Sequence, residues 1–340
     1  MNNVLTGKRV LVTGGTGSIG SEIVKHVLEK GASNVVTFSR DEIRCFQIKD
    51  NRLDPRLDAV VGDIRDFKSI ERLFDQFTFD VIYHCAAMKH VVVCEEFPYE
   101  AVKTNVLGTQ NIIDLALRHN VTKLITISTD KAVNPANVMG ATKQIAERIT
   151  INANRVSGGA GIFSCVRFGN VANSHGSVIP VFIEKLLNGR PLQVTNPEVT
   201  RFVVGISDAA RLVVDASSFA QGGEIFILKM QAFKLGDLLE VITKKIAPKL
   251  NIPDGRLRIE TIGMVEGEKL HEQLVSNVES SRTYDWGNMY VVLPNNEVYS
   301  KYNGLNKVSL SSYTSRDVEL LSSVQIEQIV MEHLEKLHVL

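Results

Sequence analysis

The sequence predicts an α/β fold: a doubly wound parallel sheet followed by a smaller C-terminal α/β lobe. Strand-like apolar runs alternate with helix-like patterns through the first two hundred of the 340 residues, as in repeated βαβ units. The runs are continuously apolar, which is typical of strands buried on both faces. We expect the main domain over residues 1–170, with a segment near 200–230 returning to it, and the interleaved lobe over residues 171–340.

The elements of the main domain follow from hydrophobic periodicity. The run Lys8–Gly15 predicts the first strand, and the next segment places Ile23, Val24 and Val27 on one helical face before Gly31. Further strands are expected at Asn34–Arg40, Leu57–Asp63, Asp80–Ala87, Lys123–Thr129 and Ile162–Gly169. Helices are expected near residues 67–77, 99–120 and 137–155.

The alternation loosens after Asn170. Helices are expected at Ser177–Arg190 and Gln325–Leu337, and a short strand with a helix within Arg201–Ala220. Further strands are expected at Glu224–Met230, Leu257–Ile262 and Met289–Pro294. No tandem repeat or low-complexity linker interrupts this region, so we expect the lobe to close over the carboxyl edge of the sheet.

Composition excludes several classes of protein. Lysine and arginine together number 38, as do aspartate and glutamate, which argues against a nucleic-acid partner held by bulk charge. No run of eighteen apolar residues exists, and the first strand begins too early to leave room for a signal peptide. The cysteines lack metal-site spacing; they are Cys45, Cys85, Cys94 and Cys165. We expect a reduced cytoplasmic protein with no metal and no membrane insertion.

A glycine-rich stretch joins the first strand to the first helix. "TGGTGSIG" satisfies both Gly15-x-Gly17-x-x-Gly20 and Gly14-x-x-Gly17-x-x-Gly20. Glycines permit a tight turn and let backbone amides approach a pyrophosphate at the helix N-terminus. With a strand before it and a helix after it, the stretch predicts a dinucleotide site that comprises Gly14, Gly15, Thr16, Gly17, Ser18, Ile19 and Gly20.

The end of the second strand indicates which dinucleotide binds. It reads "SRDEIR", and the hydroxyl of Ser39 with the guanidinium groups of Arg40 and Arg44 suits a ribose 2′-phosphate. Asp41 could instead accept a hydrogen bond from a 2′-hydroxyl, which would favour NAD. NADP is therefore predicted, with NAD as the less favoured alternative.

Other strand ends supply further candidates at the same edge of the sheet. Asp63 and Ile64 follow the third strand, where the carboxylate is placed to meet the adenine amino group. Ala86 and Ala87 close the fourth strand and are small enough for a cofactor to lie close. Lys89 is expected to bind cofactor or substrate. The role of His90 stays open, and His84 is expected to pack at the strand end.

The stretch "STDKAVNPANVMGATK" raises a chemical question. A familiar reductase layout has a tyrosine four residues before the last lysine, Lys143, as an acid or base. Here that position is Met139, and a thioether cannot carry a proton. Lys143 still lies one helical turn after Met139, on the same face.

These segments resemble the extended short-chain dehydrogenase/reductase superfamily, and more closely its UDP-N-acetylglucosamine 4,6-dehydratases. The resembling stretches stand in family order and include "TGGTGSIGSEI", "VVGDIRD", "AAMKHV", "STDKAVNPANVMGATK", "VRFGNV", "GSVIPVF" and "GEKLHE". The chain resembles the small soluble, C5-inverting group, in which a methionine at the tyrosine position recurs. The resemblance implies that Asp130 is an acid and Lys131 a base, and that Thr129 bonds the C4 oxygen.

The resemblance also implies an internal redox elimination. Tightly held NADP+ takes hydride from C4 of the sugar, a base removes the C5 proton, an acid protonates the C6 hydroxyl, and hydride returns to C6. Asp130 must then bind a proton more readily than usual, which we expect burial to favour, and Lys131 less readily, which we expect positive charge on Lys143 and the oxidised nicotinamide to favour. Lys143 is expected to bind the nicotinamide ribose, with Asn105 orienting it. Whether Lys131 or Lys143 takes the O4 proton stays open.

Family positions for the substrate are matched by Asn170, Val171, Ser177 and Arg201, with Arg201 expected to bind the diphosphate. One departure is Val265, where relatives commonly have arginine. Two alternatives stay open: Lys269 compensates for the missing cation, or the site prefers another nucleotide sugar. A UDP-sugar 4-epimerase is the first alternative, because it shares the fold and the opening hydride step but needs no elimination. A non-catalytic NADP-binding sensor is the second alternative.

The resemblance also implies a homo-oligomer, with a hexamer as the candidate assembly.

Overall fold

The structure is a computed structural model that describes residues 4–51, 54–294, 302 and 304–337. Its helices are α1 (Ser18–Glu29), α2 (Glu42–Asp50), α3 (Phe67–Gln76), α4 (Val91–Glu96), α5 (Pro98–Ala101), α6 (Gly108–Arg118), α7 (Val138–Val156), α8 (Val178–Leu187), α9 (Ile206–Phe219), α10 (Leu235–Val241), α11 (Ala247–Lys249), α12 (Asn277–Ser280) and α13 (Ser323–Lys336). Short 3₁₀ turns lie at Asp130–Ala132 and Asp254–Arg256, and π-helical turns at Val102–Leu107 and Ile242–Ile246.

The strands confirm the predicted fold class. They are β1 (Arg9–Thr13), β2 (Asn34–Ser39), β3 (Leu57–Val61), β4 (Val81–His84), β5 (Lys123–Thr129), β6 (Ile162–Phe168), β7 (Asn170–Val171), β8 (Leu192–Val194), β9 (Thr200–Val204), β10 (Ile225–Leu228), β11 (Gln231–Lys234), β12 (Ile259–Thr261), β13 (Gln273–Val275), β14 (Thr283–Trp286), β15 (Met289–Val292), β16 (Asn306–Lys307) and β17 (Tyr313–Thr314).

In the described part of the chain, ten strands form one sheet in the order β16-β14-β15-β10-β6-β5-β4-β1-β2-β3. All pairs from β3 to β10 are parallel, and β15, β14 and β16 add antiparallel strands at one edge. The chain order reverses between β1 and β4, which is the switch point where such sheets bind ligands. β10 returns to the sheet as expected, and β14–β16 join it too, beyond the 200–230 segment we expected.

Both faces of the sheet are covered because successive strand residues point to opposite faces. On β1, Val10 and Val12 belong to a core with Ile23 of α1 and Val213 of α9. Leu11, between them, belongs to the opposite core with residues of α3 and α6. A continuously apolar strand is therefore required, as the sequence indicated.

The lobe has its own core, formed by α8, α10 and α13 with β8 and β11. Smaller sheets in the described residues pair β11-β9-β7, β12-β8 and β13-β17. Because β7 directly follows β6, the lobe's sheet starts at the carboxyl edge of the main sheet. None of the helices in the described ranges combines the length and apolarity that crossing a membrane would require.

Candidate functional site

A cleft of about 800 Å³ lies along the carboxyl edge of the main sheet, at its switch point. The glycine-rich loop forms one wall, the ends of β4 and β5 form the floor, and residues 168–177 form the opposite wall. The predicted site residues that line it are Gly14, Thr16, Gly17, Ser18, Ile19, Gly20, Ser39, Arg40, Asp41, Arg44, Ile64, Ala86, Ala87, Lys89, Thr129, Lys131, Met139, Lys143, Asn170, Val171 and Ser177.

The glycine-rich loop is shaped by close backbone approaches. Gly14 has a φ of +66°, and a Cβ there would lie 2.9 Å from the backbone of Ala86. A Cβ on Gly20 would lie 2.2 Å from the carbonyl oxygen of Gly14, so only glycine lets α1 pack this tightly. Gly17 caps α1 without a side-chain hydrogen bond, which leaves the helix N-terminus open toward the cleft. This cradle fits a pyrophosphate.

Polar and charged side chains surround the end of β2. The Ser39 and Thr16 hydroxyls are 2.6 Å apart, and Arg44 donates to the carbonyl oxygen of Thr16 at 2.8 Å. The Asp41 carboxylate caps α2 by accepting from the Arg44 backbone N–H at 3.0 Å, and it lies 3.3 Å from Arg44 Nε. Asp41 is thus engaged with its own helix, whereas Arg40 is exposed at the cleft rim.

Asp63 is not among the residues that line the cleft. Arg65 binds its carboxylate through Nε at 2.8 Å and Nη2 at 2.6 Å. Burial would raise the pKa of Asp63, but the hydrogen bonds from Arg65 outweigh burial and lower it. Its neighbours Gly62 and Ile64 line the cleft instead, so contact with adenine stays a prediction that the geometry does not support.

The end of β4 carries both structural and cleft-lining groups. His84 is buried between the hydroxyls of Thr13, at 2.7 Å, and Thr109, at 3.0 Å, and burial lowers its pKa to about 3. It packs at the strand end, as expected. Lys89 lines the cleft and donates to the carbonyl oxygen of His175 at 2.7 Å, and burial lowers its pKa.

Asp130 and Lys131 follow β5 in the 3₁₀ turn. Lys131 Nζ lies 3.0 Å from Asp130 Oδ1, which also accepts from the Thr129 hydroxyl at 2.9 Å. The Asp130 side chain is fully buried, and its Oδ2 has no hydrogen-bond partner among the described residues. A Cβ on Gly169 would lie 3.0 Å from this oxygen, and Gly169 lines the cleft. Asp130 itself is not among the residues that line the cleft, and this oxygen lies beside Gly169, whose backbone forms part of the cleft wall.

The surroundings of Lys131 differ from our expectation. Burial would lower the pKa of Lys131, but Asp130 and Glu272 outweigh it and raise the pKa. Glu272 Oε1 lies 3.5 Å from Lys131 Nζ. The cations that oppose this effect are on Arg201 and Lys269 rather than on Lys143. The expected lowering of the Lys131 pKa is thus wrong, because two buried carboxylates flank the ammonium.

Met139 occupies the tyrosine position as a packed side chain. It is 4% exposed and clusters with Cys94 and Ala101. Lys143 donates to the carbonyl oxygen of Ile127 at 2.5 Å, and burial lowers the pKa of Lys143. No tyrosine hydroxyl is among the cleft-lining residues of the described structure.

The side chain of Asn105 hydrogen-bonds to neighbours of the site rather than to Lys143 itself. Its Oδ1 accepts from the backbone N–H of Met88 at 2.8 Å, and its Nδ2 donates to the Met88 carbonyl and to the Thr142 hydroxyl, both at 3.0 Å. It therefore fixes the turn after β4 and the residue before Lys143. It lies in the π-helical turn between α5 and α6, a distortion often found at functional sites.

Two expected substrate ligands do not line the cleft in this structure. Arg201 Nη2 pairs with Glu268 at 2.7 Å, and Nη1 donates to backbone carbonyls. Lys269 donates to the carbonyl oxygen of Val133 at 2.7 Å. Val265 is 45% exposed and contributes no charge. The diphosphate contact of Arg201 stays a prediction, because it requires the guanidinium to leave Glu268.

The cleft also contains residues that the motifs did not identify. Thr104 lines it, and its hydroxyl is buried without a partner among the described residues. His175 lines it too, with Nδ1 3.3 Å from the Ser18 hydroxyl and Nε2 3.3 Å from Arg44 Nη2. The sequence offered a signal for His175, because it lies in "SHGSV" two residues before the expected Ser177. The sequence offered no comparable signal for Thr104.

The fold and this cleft define a dinucleotide-binding protein of the extended short-chain dehydrogenase/reductase type. The chain belongs to the polysaccharide biosynthesis protein family, whose model matches residues 10–294. The resemblance drawn from the motifs is thereby confirmed.

Individual relatives cover nearly the whole chain. A protein of Methanocaldococcus jannaschii, named only as an uncharacterized membrane protein, is 43% identical over 98% of both chains. A UDP-glucose 4-epimerase of Rickettsia rickettsii is 35% identical over 95% of both. A UDP-N-acetylglucosamine 4,6-dehydratase (inverting) of Campylobacter jejuni is 36% identical over 87% of this chain and 86% of its own. The solved structure of Pen from Bacillus thuringiensis matches 99% of both chains with a TM-score of 0.89 at 33% identity.

Proposed function

We propose that this chain is an NADP-dependent 4,6-dehydratase that acts on UDP-N-acetylglucosamine and inverts C5. The observation that carries the proposal is the Asp130–Lys131 pair, hydrogen-bonded at 3.0 Å. Lys131 lines the cleft, and Asp130 lies beside the cleft-lining Gly169 with one oxygen that has no hydrogen-bond partner among the described residues. An elimination across C5 and C6 needs an acid and a base within reach of adjacent carbons. A relative with this activity, from Campylobacter jejuni, supports the same conclusion.

The cofactor is held by the walls of the cleft. The open N-terminus of α1 and the loop Gly14–Gly20 receive the pyrophosphate, and Arg40 with Arg44 receives the 2′-phosphate. Lys143, buried at the base of the cleft, binds the nicotinamide ribose. When bound, the nicotinamide supplies the hydride acceptor for C4 and the donor for C6. Mass spectrometry of the nucleotide released on denaturation distinguishes NADP from NAD.

Transfer of one proton between Lys131 and Asp130 prepares both the base and the acid. With Lys131 as ammonium and Asp130 as carboxylate, neither group has the protonation state that its role requires: a base must be a neutral amine, and an acid must carry a proton. Transfer of one proton from Nζ to Oδ1 across the 3.0 Å hydrogen bond gives a neutral amine and a carboxylic acid. The amine then takes the C5 proton and the acid protonates the C6 hydroxyl, which leaves as water. The pair thus returns to the ammonium and the carboxylate.

The O4 proton has two candidate acceptors. Met139 has no group that can accept it. The ammonium of Lys143 loses its proton more easily because burial lowers its pKa, whereas that of Lys131 is held by its carboxylates. We propose Lys143 as the acceptor, acting through the ribose hydroxyl or a water. The Thr129 hydroxyl lines the floor of the cleft, and in this proposal it turns from Asp130 Oδ1 to donate to the C4 oxygen.

A UDP-sugar 4-epimerase is the second candidate. Relatives of that name in Rickettsia match 95% of both chains, which is broader coverage than that of the dehydratase relative. An epimerase returns hydride to C4 and has no use for an acid beside C6. The buried oxygen of Asp130, which has no hydrogen-bond partner in the described part of the chain, therefore favours dehydration.

Products decide between these functions. The purified protein is incubated with UDP-N-acetylglucosamine, and the products are analysed by mass spectrometry, with Asp130→Asn as the matched variant. Loss of one water, abolished in the variant, supports the dehydratase. A product of unchanged mass supports the epimerase, and bound cofactor without turnover supports the sensor.

A cytoplasmic location and a homo-oligomer, with a hexamer as the candidate assembly, also stay predictions. Light scattering tests the assembly state.

A further inference from the structure

A second carboxylate, outside the motif that contains Asp130, faces Lys131. Glu272 belongs to the lobe and directly precedes β13. Its Oε1 lies 3.5 Å from Lys131 Nζ, on a residue that is 3% exposed. Its Oε2 is buried and has no hydrogen-bond partner among the described residues. Lys131 thus lies between a carboxylate of the main sheet and one of the lobe.

The backbone of Glu272 is held in place by neighbouring strands. Its N–H donates to the Ser315 hydroxyl at 2.9 Å, and its carbonyl accepts from the Ser315 N–H at 2.9 Å. The Ser315 hydroxyl in turn lies 2.7 Å from that of Thr200, in β9. The position of the Glu272 side chain is therefore set by the lobe, independently of the turn that carries Asp130 and Lys131.

We propose that Glu272 is a positioning residue of this reaction, which holds the Lys131 ammonium beside Asp130 and stabilises its charge. The inference rests on the proposed function for its role in turnover, but the contact itself does not. The proton that leaves Lys131 has two possible acceptors, Asp130 Oδ1 at 3.0 Å and Glu272 Oε1 at 3.5 Å. Arg201 Nε lies 4.0 Å from the same Glu272 oxygen and compensates its charge. Transfer therefore goes to Asp130, where the acid is needed.

The charged groups that face Lys131 come from four segments. Asp130 lies in the 3₁₀ turn, Glu272 precedes β13, Arg201 lies in β9, and Lys269 lies in the loop before Glu272. The two carboxylates outweigh burial and the two cations, so the pKa of Lys131 is raised. Removing one carboxylate charge within 4 Å lowers such a pKa by about 1 to 3 units.

The test is the reactivity of the Lys131 amine, which does not depend on turnover. The intact protein is labelled with acetic anhydride between pH 8 and pH 10, and modification at Lys131 is followed by peptide mass spectrometry. Only the neutral amine reacts, so each unit of lowered pKa raises the rate about tenfold. We expect Glu272→Gln to raise the Lys131 labelling rate at least about tenfold, and Glu272→Asp, which keeps the charge, to raise it less.

The matched control is Glu268→Gln. Glu268 belongs to the same segment but pairs with Arg201 at 2.7 Å. We expect it to change Lys131 labelling by less than about threefold. An unchanged rate in folded Glu272→Gln, or equal changes in both variants, overturns the proposal. If Glu272→Gln does not fold, Glu272→Ala removes the same charge, and an unchanged rate in that variant overturns the proposal equally. These outcomes are separate from failure of the dehydratase assay, which would leave the labelling result standing.

Discussion

Replacing Lys131 with methionine tests the charge arrangement and the chemistry together. Methionine keeps most of the apolar stem but removes the ammonium that lies 3.0 Å from Asp130 and 3.5 Å from Glu272. The side chains of these carboxylates are 0% and 4% exposed, so they are left buried without this cation. Removing one partner of a buried ion pair typically costs about 3–5 kcal/mol. We expect the free energy of unfolding to fall by about that amount at pH 8.

The pH dependence of this loss follows from the shift in the Lys131 pKa. Asp130 and Glu272 outweigh burial and raise the pKa of Lys131 above its ordinary value of 10.5, so the stabilisation by its ammonium is fully present below that value and is lost only as the pH rises through the raised one. The difference between wild type and variant should therefore be the same at about pH 6 and about pH 9. Urea unfolding at both pH values measures it. Turnover should fall by about 10²–10⁴-fold, because the base is lost, while the bound nucleotide is retained.

The matched control is Lys234→Met, which removes a partly exposed lysine that pairs with the exposed Glu198 at 2.8 Å. It should change neither turnover nor the pH dependence. Near-normal turnover in folded Lys131→Met would refute the role of Lys131 as base. An unchanged free energy of unfolding at pH 8 would refute the reasoning about the buried carboxylates.

Three further changes probe other parts of the structure. Burial would raise the pKa of Glu279, but Arg167 outweighs it and lowers the value from 4.5 to about 2. At 1.36 kcal/mol per unit this stabilises the fold by about 3 kcal/mol above pH 4.5, lost as the pH falls toward 2; Glu279→Gln should remove it. Gly169→Ala places a methyl carbon 2.5 Å from Phe202 Cβ and 3.0 Å from the free Asp130 oxygen, so these neighbours must shift and turnover should fall at least about tenfold. Met139→Tyr should be tolerated or mildly harmful, because the site already works without a tyrosine.

Each of these changes has its own contrary result. Equal acid sensitivity of wild type and Glu279→Gln in urea unfolding from pH 7 to pH 3 would exclude the first. For Gly169→Ala, turnover is measured on variant protein that retains its bound cofactor, and unaltered turnover would show that the placement of Asp130 beside Gly169 does not matter to the reaction. A large gain in rate with Met139→Tyr would mean that the native site lacks a proton carrier for O4.

The sequence was sufficient to predict the main sheet and the glycine-rich loop. Both depend on local patterns: continuous apolar runs at strand length, and glycines at positions where a Cβ would collide with neighbouring backbone. The Asp130–Lys131 pair was also accessible, because adjacent residues at a strand end stay together in any such fold. The antiparallel strands β14–β16 were not predicted as part of the sheet, since nothing local specifies which edge they join.

The charge environment of the site could not be predicted, because it depends on contacts between distant segments. Arg65 forms an ion pair with Asp63, and Glu268 forms one with Arg201. Glu272, which is far from Lys131 in the sequence, lies 3.5 Å from its ammonium. A motif indicates that a carboxylate is present but not which cation it meets in the folded chain. This is why the direction of the shift in the Lys131 pKa was predicted wrongly.

The central claim is an elimination across C5 and C6, and turnover of UDP-N-acetylglucosamine in deuterium oxide tests it most directly. Nuclear magnetic resonance should show a new C6 methyl group and deuterium at C5, with ring couplings that give the inverted configuration, and mass spectrometry should show loss of water. A C4 epimer that keeps its C6 oxygen and carries no deuterium at C5 would contradict the account.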